Sequence, residues 1–312
     1  MKANLKTLII AVTLIAGVII TAFTLNTEMA NDADPAVAVT AEYGQYIVRN
    51  TAMVLGNGQS DPDRQYSGTN MACASCHLDS GQSPGMLNLL QASSKYPRFS
   101  GRDGGIGDLR DRINGCMQRS MNGDPLPRNS IEMLAMETYI NNLGEQFLAM
   151  GNTRRQQQEP ELFEEPKRRA SVENGKEIYE DRCQVCHGRN GEGLKASKNI
   201  AEGYLFPPLW GEDSYNNGAG MTRILTASRF IKARMPLGEP DLSNDQAYDV
   251  AAYVNSHERP IKSNLAADFP ELERKPVDSP YLPYADPFPQ EQHKLGPFDP
   301  IREYYKNLAI SR

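Results

Sequence analysis

All five cysteines of the chain fall in three short stretches, and two of these share one pattern. "CASCH" supplies Cys73, Cys76 and His77; "CQVCH" supplies Cys183, Cys186 and His187. Two thiols on one helical turn can form thioethers to the vinyl groups of a haem, and the adjacent histidine then reaches the iron from the same side. The run can also be half of a zinc site or a dithiol redox pair. Zinc needs more ligands, and the other histidines are His257 and His293, which read as surface or packing residues. Two complete copies in a chain that opens on an export signal favour two covalently attached haem c groups.

The fifth cysteine, Cys116, lies in "RINGCMQRSMNG". A free thiol in an exported protein is a liability unless it is buried or bound. It is either a small buried hydrophobe or a thiolate near or on haem iron, which favours oxidised iron and lowers the potential. Cys116 follows His77 by 39 positions, and Met235 follows His187 by 48, so the two occupy similar places in their halves. In the second half "ARMPLG" sets Met235 before Pro236, which stiffens the loop and favours Met235 over Met221 as distal ligand. The first half has no Met-Pro, leaving Met86, Met117 and Met121 beside Cys116.

If "GDLRDRINGCMQRSMNG" is a helix ended by Gly123, Arg112, Cys116 and Ser120 share one face at i, i+4 and i+8. Arg119 adjoins that stripe, and Arg102 comes from the glycine-rich "FSGRDGGIG" before it. Arginines present planar donors suited to an oxyanion and lower the pKa of a nearby thiol. The competing reading is a solvated face on which Asp108 and Asp111 neutralise the arginines.

The elements that must position these groups form an internal repeat. "EYGQYIVRNT" precedes the first haem motif and "VENGKEIYEDR" the second, while "MLAMETYINNL" matches "AYDVAAYVNSH", aligning Tyr139 with Tyr253 and Asn141 with Asn255. These segments have helical apolar spacing. Each half therefore reads as helix, attachment turn, loops and closing helix, which resembles the plan of a class I cytochrome c domain. The expected fold is mainly α, with domains at 39–150 and 169–260. Residues 151–168, charged and broken by Pro160 and Pro166, read as an exposed linker. Residues 261–312 read as a proline-rich extended tail, without long helices, packed on the domains.

Residues 1–38 carry Lys2 and Lys6 before an apolar run from Leu8 to Leu25, at the border between a cleaved signal peptide and a membrane anchor. The expected compartment is the periplasm. The 312 residues carry a net charge of -6, which argues against nucleic acid or an anionic membrane surface as partner.

"GDLRDRINGCMQRSMNG", "FPPLWGEDSYNNGAGM", "ARMPLG" and "PYADPFPQEQHKLGPF" together resemble the dihaem thiosulfate dehydrogenases that form tetrathionate, from about Glu42 to the C-terminus. The resemblance implies haem 1 held by His77 and Cys116, haem 2 held by His187 and Met235, and substrate bound beside haem 1 by Arg102, Arg112 and Ser120. It also implies thiosulfate and tetrathionate as ligands and a small external electron acceptor such as a cytochrome c. In some members a lysine before the methionine is a switching ligand; here that residue is Arg234, which does not readily lose its proton. Competing readings are a dihaem electron carrier without its own substrate, a sulfur-oxidising cytochrome acting on a carrier protein, and a dihaem peroxidase.

Overall fold

In the computed structural model, which describes residues 34–158 and 162–310, each half is built on one crossed pair of helices. The apolar run at 8–25, and with it the signal or anchor expectation, lies outside the described residues. The first half contains α1 (Ala41–Arg49), α2 (Thr51–Leu55), a hairpin of β1 (Arg98–Ser100) and β2 (Gly105–Gly107), then α3 (Leu109–Met117) and α4 (Ile131–Ala149). After the short α5 (Asn152–Gln156) come α6 (Val172–Arg182), α7 (Gln184–His187), a hairpin of β3 (Leu194–Lys195) and β4 (Tyr204–Phe206), α8 (Ile224–Arg234) and α9 (Asn244–Asn255). Both hairpins are antiparallel, with Phe99 opposite Ile106 in the first.

The pairs are α1 with α4 and α6 with α9. Each of these four helices starts at a Thr or Ser whose side chain accepts a hydrogen bond from a first-turn N–H: Thr40, Ser130, Ser171 and Ser243. The crossing point is a glycine in both halves. A Cβ at Gly44 would lie 2.1 Å from Ala135 O, and one at Gly175 2.0 Å from Asp249 O. Tyr139 and Tyr253 flank the same two crossings, which accounts for the aligned tyrosines of the repeat.

Two apolar cores result. Ile47, Leu55, Met117, Met133 and Leu143 fill the first, and Tyr179, Trp210, Ile224 and Tyr248 the second. The segment after Trp210 crosses between them. Asp213 accepts from Asn70 N at 2.8 Å and Asn70 Nδ2 at 2.9 Å, Asn216 N donates to Arg119 O at 3.1 Å, and Tyr215 joins the first core.

Three sequence expectations need correction. The helix carrying Cys116 ends at Met117 and not at Gly123, so Ser120 lies beyond it. The chain turns out through Asn122 at φ +47, with Gly123 N donating back to Met117 O at 2.9 Å. The linker is not wholly exposed: Gln158 is buried, and its carbonyl accepts from Gly85 N and Asn88 Nδ2. The tail is irregular apart from single turns as far as Pro289, then forms α10 (Gln290–Leu295) and the twelve-residue α11 (Asp299–Ile310). Pro300 stands in the first turn of α11, where a missing N–H costs no intrahelical bond.

Tail residues contact both halves, Asp268 through Arg102 and Arg119 and Phe298 through the second core. Phe298 and Ile301 enter the second core, and Asp278 receives Arg223 Nε at 2.8 Å and Leu225 N at 3.1 Å, capping α8. His293 is buried, with Nδ1 bonded to Val277 O and Nε2 to Asp286 Oδ1, and its ring stacks on Tyr284. His257 stacks on Trp210 at 3.9 Å between ring centroids. Both histidines are packing residues. Among the described residues no helix is long and apolar enough to cross a membrane.

Candidate active site

Both attachment motifs are wound tightly enough to present their three side chains together. His77 N donates to Cys73 O, and His187 N to Cys183 O, each at 3.0 Å. Thr51, at the start of α2, fixes the first motif by accepting from Cys73 N at 3.0 Å. The histidines are oriented alike: Nδ1 of His77 meets Leu87 O at 2.8 Å, and Nδ1 of His187 meets Pro207 O at 2.9 Å. Nδ1 thus carries the proton, leaving the Nε2 lone pair free to act as a donor, and the carbonyl partner raises its basicity.

His77 opens on a cavity of about 310 Å³, walled by Met71, Leu89, Leu109, Ile113, Met136 and Ile140, with Cys73, Cys76 and Cys116 on its lining. An apolar slot with two attachment thiols, an oriented imidazole and a second donor fits a haem c group. Cys116 and His77 line this same cavity. Met117 and Met121 line the same slot, while Met86 does not.

The three thiols differ in electrostatics. Burial pushes Cys73 up to about 11 and Cys76 up to about 12. Burial acts on Cys116 in the same sense, but the Arg112 and Arg119 charges beside it oppose burial and favour the thiolate.

Beside the slot lies a second, polar cavity of about 400 Å³ that shares His77, Arg112, Cys116, Ser120 and Met221 with it and adds Arg102 and Arg119. The structure therefore brings Arg102, Arg112, Cys116 and Ser120 to one wall, although Ser120 arrives from the turn after α3; its N–H donates to Cys116 O at 2.8 Å. The neutralised-face reading fails, because Asp108 and Asp111 cap α3 reciprocally and pair with Arg128 instead.

A carboxylate from the tail, missed in the sequence reading, organises the arginines. Asp268 is buried and receives Arg119 through Nη2 at 2.8 Å and Nε at 3.2 Å, Arg102 Nη1 at 3.0 Å and Tyr281 OH at 3.3 Å, with Lys262 Nζ at 3.8 Å. Its neighbour Phe269 donates its N–H to Arg102 O at 2.8 Å and stacks under the Arg102 guanidinium at 5.1 Å. Phe269 holds φ +63, a conformation that an aromatic residue takes only where its surroundings enforce it. Arg102 Nη1 also donates to Gly218 O at 2.6 Å. Asp103 Oδ1 also lies 3.9 Å from Arg119 Nη2, so Asp268 and Asp103 are shared among Arg119, Arg102 and Lys262, while Arg112 stands on the same wall beside Cys116.

In the second half, Cys183, Cys186 and His187 are carried on or just before α7. Met235 follows directly on α8 and packs against the second core. Met221 packs against both cores but lines the His77 cavity, which counts against it as the partner of His187.

Two such modules on one chain define a dihaem cytochrome c. Residues 58–147 match the model for the SoxA/TsdA cytochrome c domain and residues 172–258 the model for cytochrome c. Relatives include thiosulfate dehydrogenases from Stutzerimonas stutzeri, 38% identical over 72% of this chain and 70% of that protein, and Allochromatium vinosum, 35% identical over 75% and 86%. A solved thiosulfate dehydrogenase, TsdBA of Marichromatium purpuratum, superposes with a TM-score of 0.63 at 32% identity over 74% of this chain and 48% of that one. The chain belongs to the thiosulfate dehydrogenase family and carries two covalently bound haem c groups.

Proposed function

We propose that the protein joins two thiosulfate ions into tetrathionate and passes the two electrons through haem 1 and haem 2 to an external acceptor, such as a small cytochrome c, in the periplasm. His77 and Cys116 are the iron ligands of haem 1, and His187 and Met235 those of haem 2. The apolar run at 8–25 serves export or anchoring. Each haem, when bound, accepts one electron at a time. The observation that carries the reading is the placement of Cys116, which lines one cavity with His77 and the adjoining one with Arg102, Arg112 and Arg119.

The chain's own residues account for the rest. Two thiosulfate dianions repel by roughly 1 kcal/mol per charge product at contact in water, and several-fold more in a poorly solvated cleft. Arg102 and Arg112 offset that repulsion and hold the sulfonate oxygens, and Ser120 offers a hydroxyl beside them. Cys116 thiolate forms a sulfur–sulfur bond with the outer sulfur of the first thiosulfate, releasing two electrons and leaving a Cys–S–S–SO3⁻ adduct. A second thiosulfate attacks the adduct's outer sulfur, tetrathionate leaves, and the Cys116 thiolate returns. The same steps in reverse reduce tetrathionate.

Cys116→Gly tests this with thiosulfate and ferricyanide. The variant retains both haems in its absorption spectrum, loses the compressed low-spin paramagnetic signal of a His/thiolate site, and forms tetrathionate at below about 1% of the parent rate, a loss of at least ~2.7 kcal/mol of transition-state stabilisation. Near-normal turnover contradicts the assignment.

A further inference from the structure

Arg234 ends α8 and directly precedes Met235, yet its side chain reaches into the first domain. Its guanidinium donates through Nη2 to Ser83 O at 3.0 Å and Met86 O at 3.1 Å, through Nη1 to Ser83 Oγ at 3.2 Å, and through Nε to Met86 O at 3.3 Å. The next residue, Leu87, accepts the Nδ1 hydrogen of His77 at 2.8 Å. The loop is also held through Gln158 O, which accepts from Gly85 N at 3.2 Å and Asn88 Nδ2 at 2.9 Å. Leu87 itself sits at φ +62, left-handed and unfavourable for a leucine without enforcement by its neighbours.

We propose that Arg234 is a positioning residue for haem 1, although it neighbours the ligand of haem 2: its planar fork fixes the 83–87 loop so that Leu87 O is aimed at His77. The inference rests on His77 and Met235 being the iron ligands proposed above. A carbonyl well aimed at Nδ1–H gives the imidazole anionic character, strengthens it as a donor to iron and lowers the potential. The two ligand sets are thereby joined by a short chain of covalent and hydrogen bonds running from Met235 through Arg234, Met86 and Leu87 to His77. A change at one ligand loop is felt at the other.

Two effects of removing the arginine have opposite signs at haem 1. Loss of a positive charge alone lowers the potential; loosening the Leu87–His77 bond raises it. Potentiometric titration of the holoprotein, each haem followed by its own spectroscopic signature, separates them. In Arg234→Gln the equilibrium constant for reduction of haem 1 rises about tenfold, which is about 59 mV for a one-electron couple, and haem 2 moves less. Arg234→Lys, which keeps the charge but not the fork, raises haem 1 too. Lys232→Gln, in the same last turn of α8, does not. A fall or no change at haem 1 in Arg234→Gln, or an equal rise in Lys232→Gln, overturns the proposal. Failure of the ligand assignment is distinguishable, because it appears in the paramagnetic spectra of the unsubstituted protein.

Discussion

Asp268 shows how a single group sets the character of the pocket. Burial would raise its pKa, but Arg119, Arg102 and Lys262 hold the carboxyl below the ordinary aspartate range. A folded-state pKa below the unfolded value stabilises the fold above the unfolded pKa of about 4, and that stability is lost as pH falls through the folded value. Asp268→Asn leaves three cations facing a neutral amide. It costs about 3 kcal/mol at pH 7, the scale for breaking a buried ion pair, and raises the KM for thiosulfate as Arg102 loses its hold. Denaturant titration checks the first, and the gap from the parent closes as pH drops below about 4. A pH-independent gap contradicts the account.

The gathering of Cys116, Arg102 and Arg112 on one wall was legible in the sequence because their types are chemically distinctive and their spacing local. Asp268 and Phe269 were not, since an aspartate and a phenylalanine remote in sequence carry no signal until the chain folds them onto that wall; Met221 was singled out only as a candidate ligand of the second haem, and its place at the first cavity came from the fold.

Among the elements, the crossed helix pairs carry the fold. The repeat made them readable through helical spacing and the aligned tyrosines; the Ser and Thr caps and the glycines where backbone meets backbone emerged only in the structure. Gly44→Ala and Gly175→Ala each push a methyl group into a carbonyl of the facing helix. Each destabilises its own half by about 1–3 kcal/mol or more, the cost of overpacking. Calorimetry of the two variants checks this, and an unchanged Tm in either contradicts the crossing geometry. The end of α3 was less legible. Glycine at 123 signals a stop, but the helix ends at Met117, and the residue that takes the left-handed conformation is Asn122. The tail was misread for a related reason: proline excludes a helix interior, not a first turn.

For the whole molecule, the two halves share one site. The segment 213–221 of the second half walls the cavity of the first, the tail supplies Asp268, and Arg234 grips the loop behind His77. Composition and periodicity describe two domains and say nothing of such sharing, which depends on contacts between remote segments. Two one-electron centres serving the proposed thiol-bearing anion pocket predict a fixed stoichiometry. The most direct measurement is anaerobic addition of excess thiosulfate to the oxidised protein without any acceptor, with haem absorbance and tetrathionate followed together. Reduction of both haems with one tetrathionate formed per protein, and neither event in Cys116→Gly, is the predicted result. Haem reduction without tetrathionate, or to the same extent in Cys116→Gly, would contradict it.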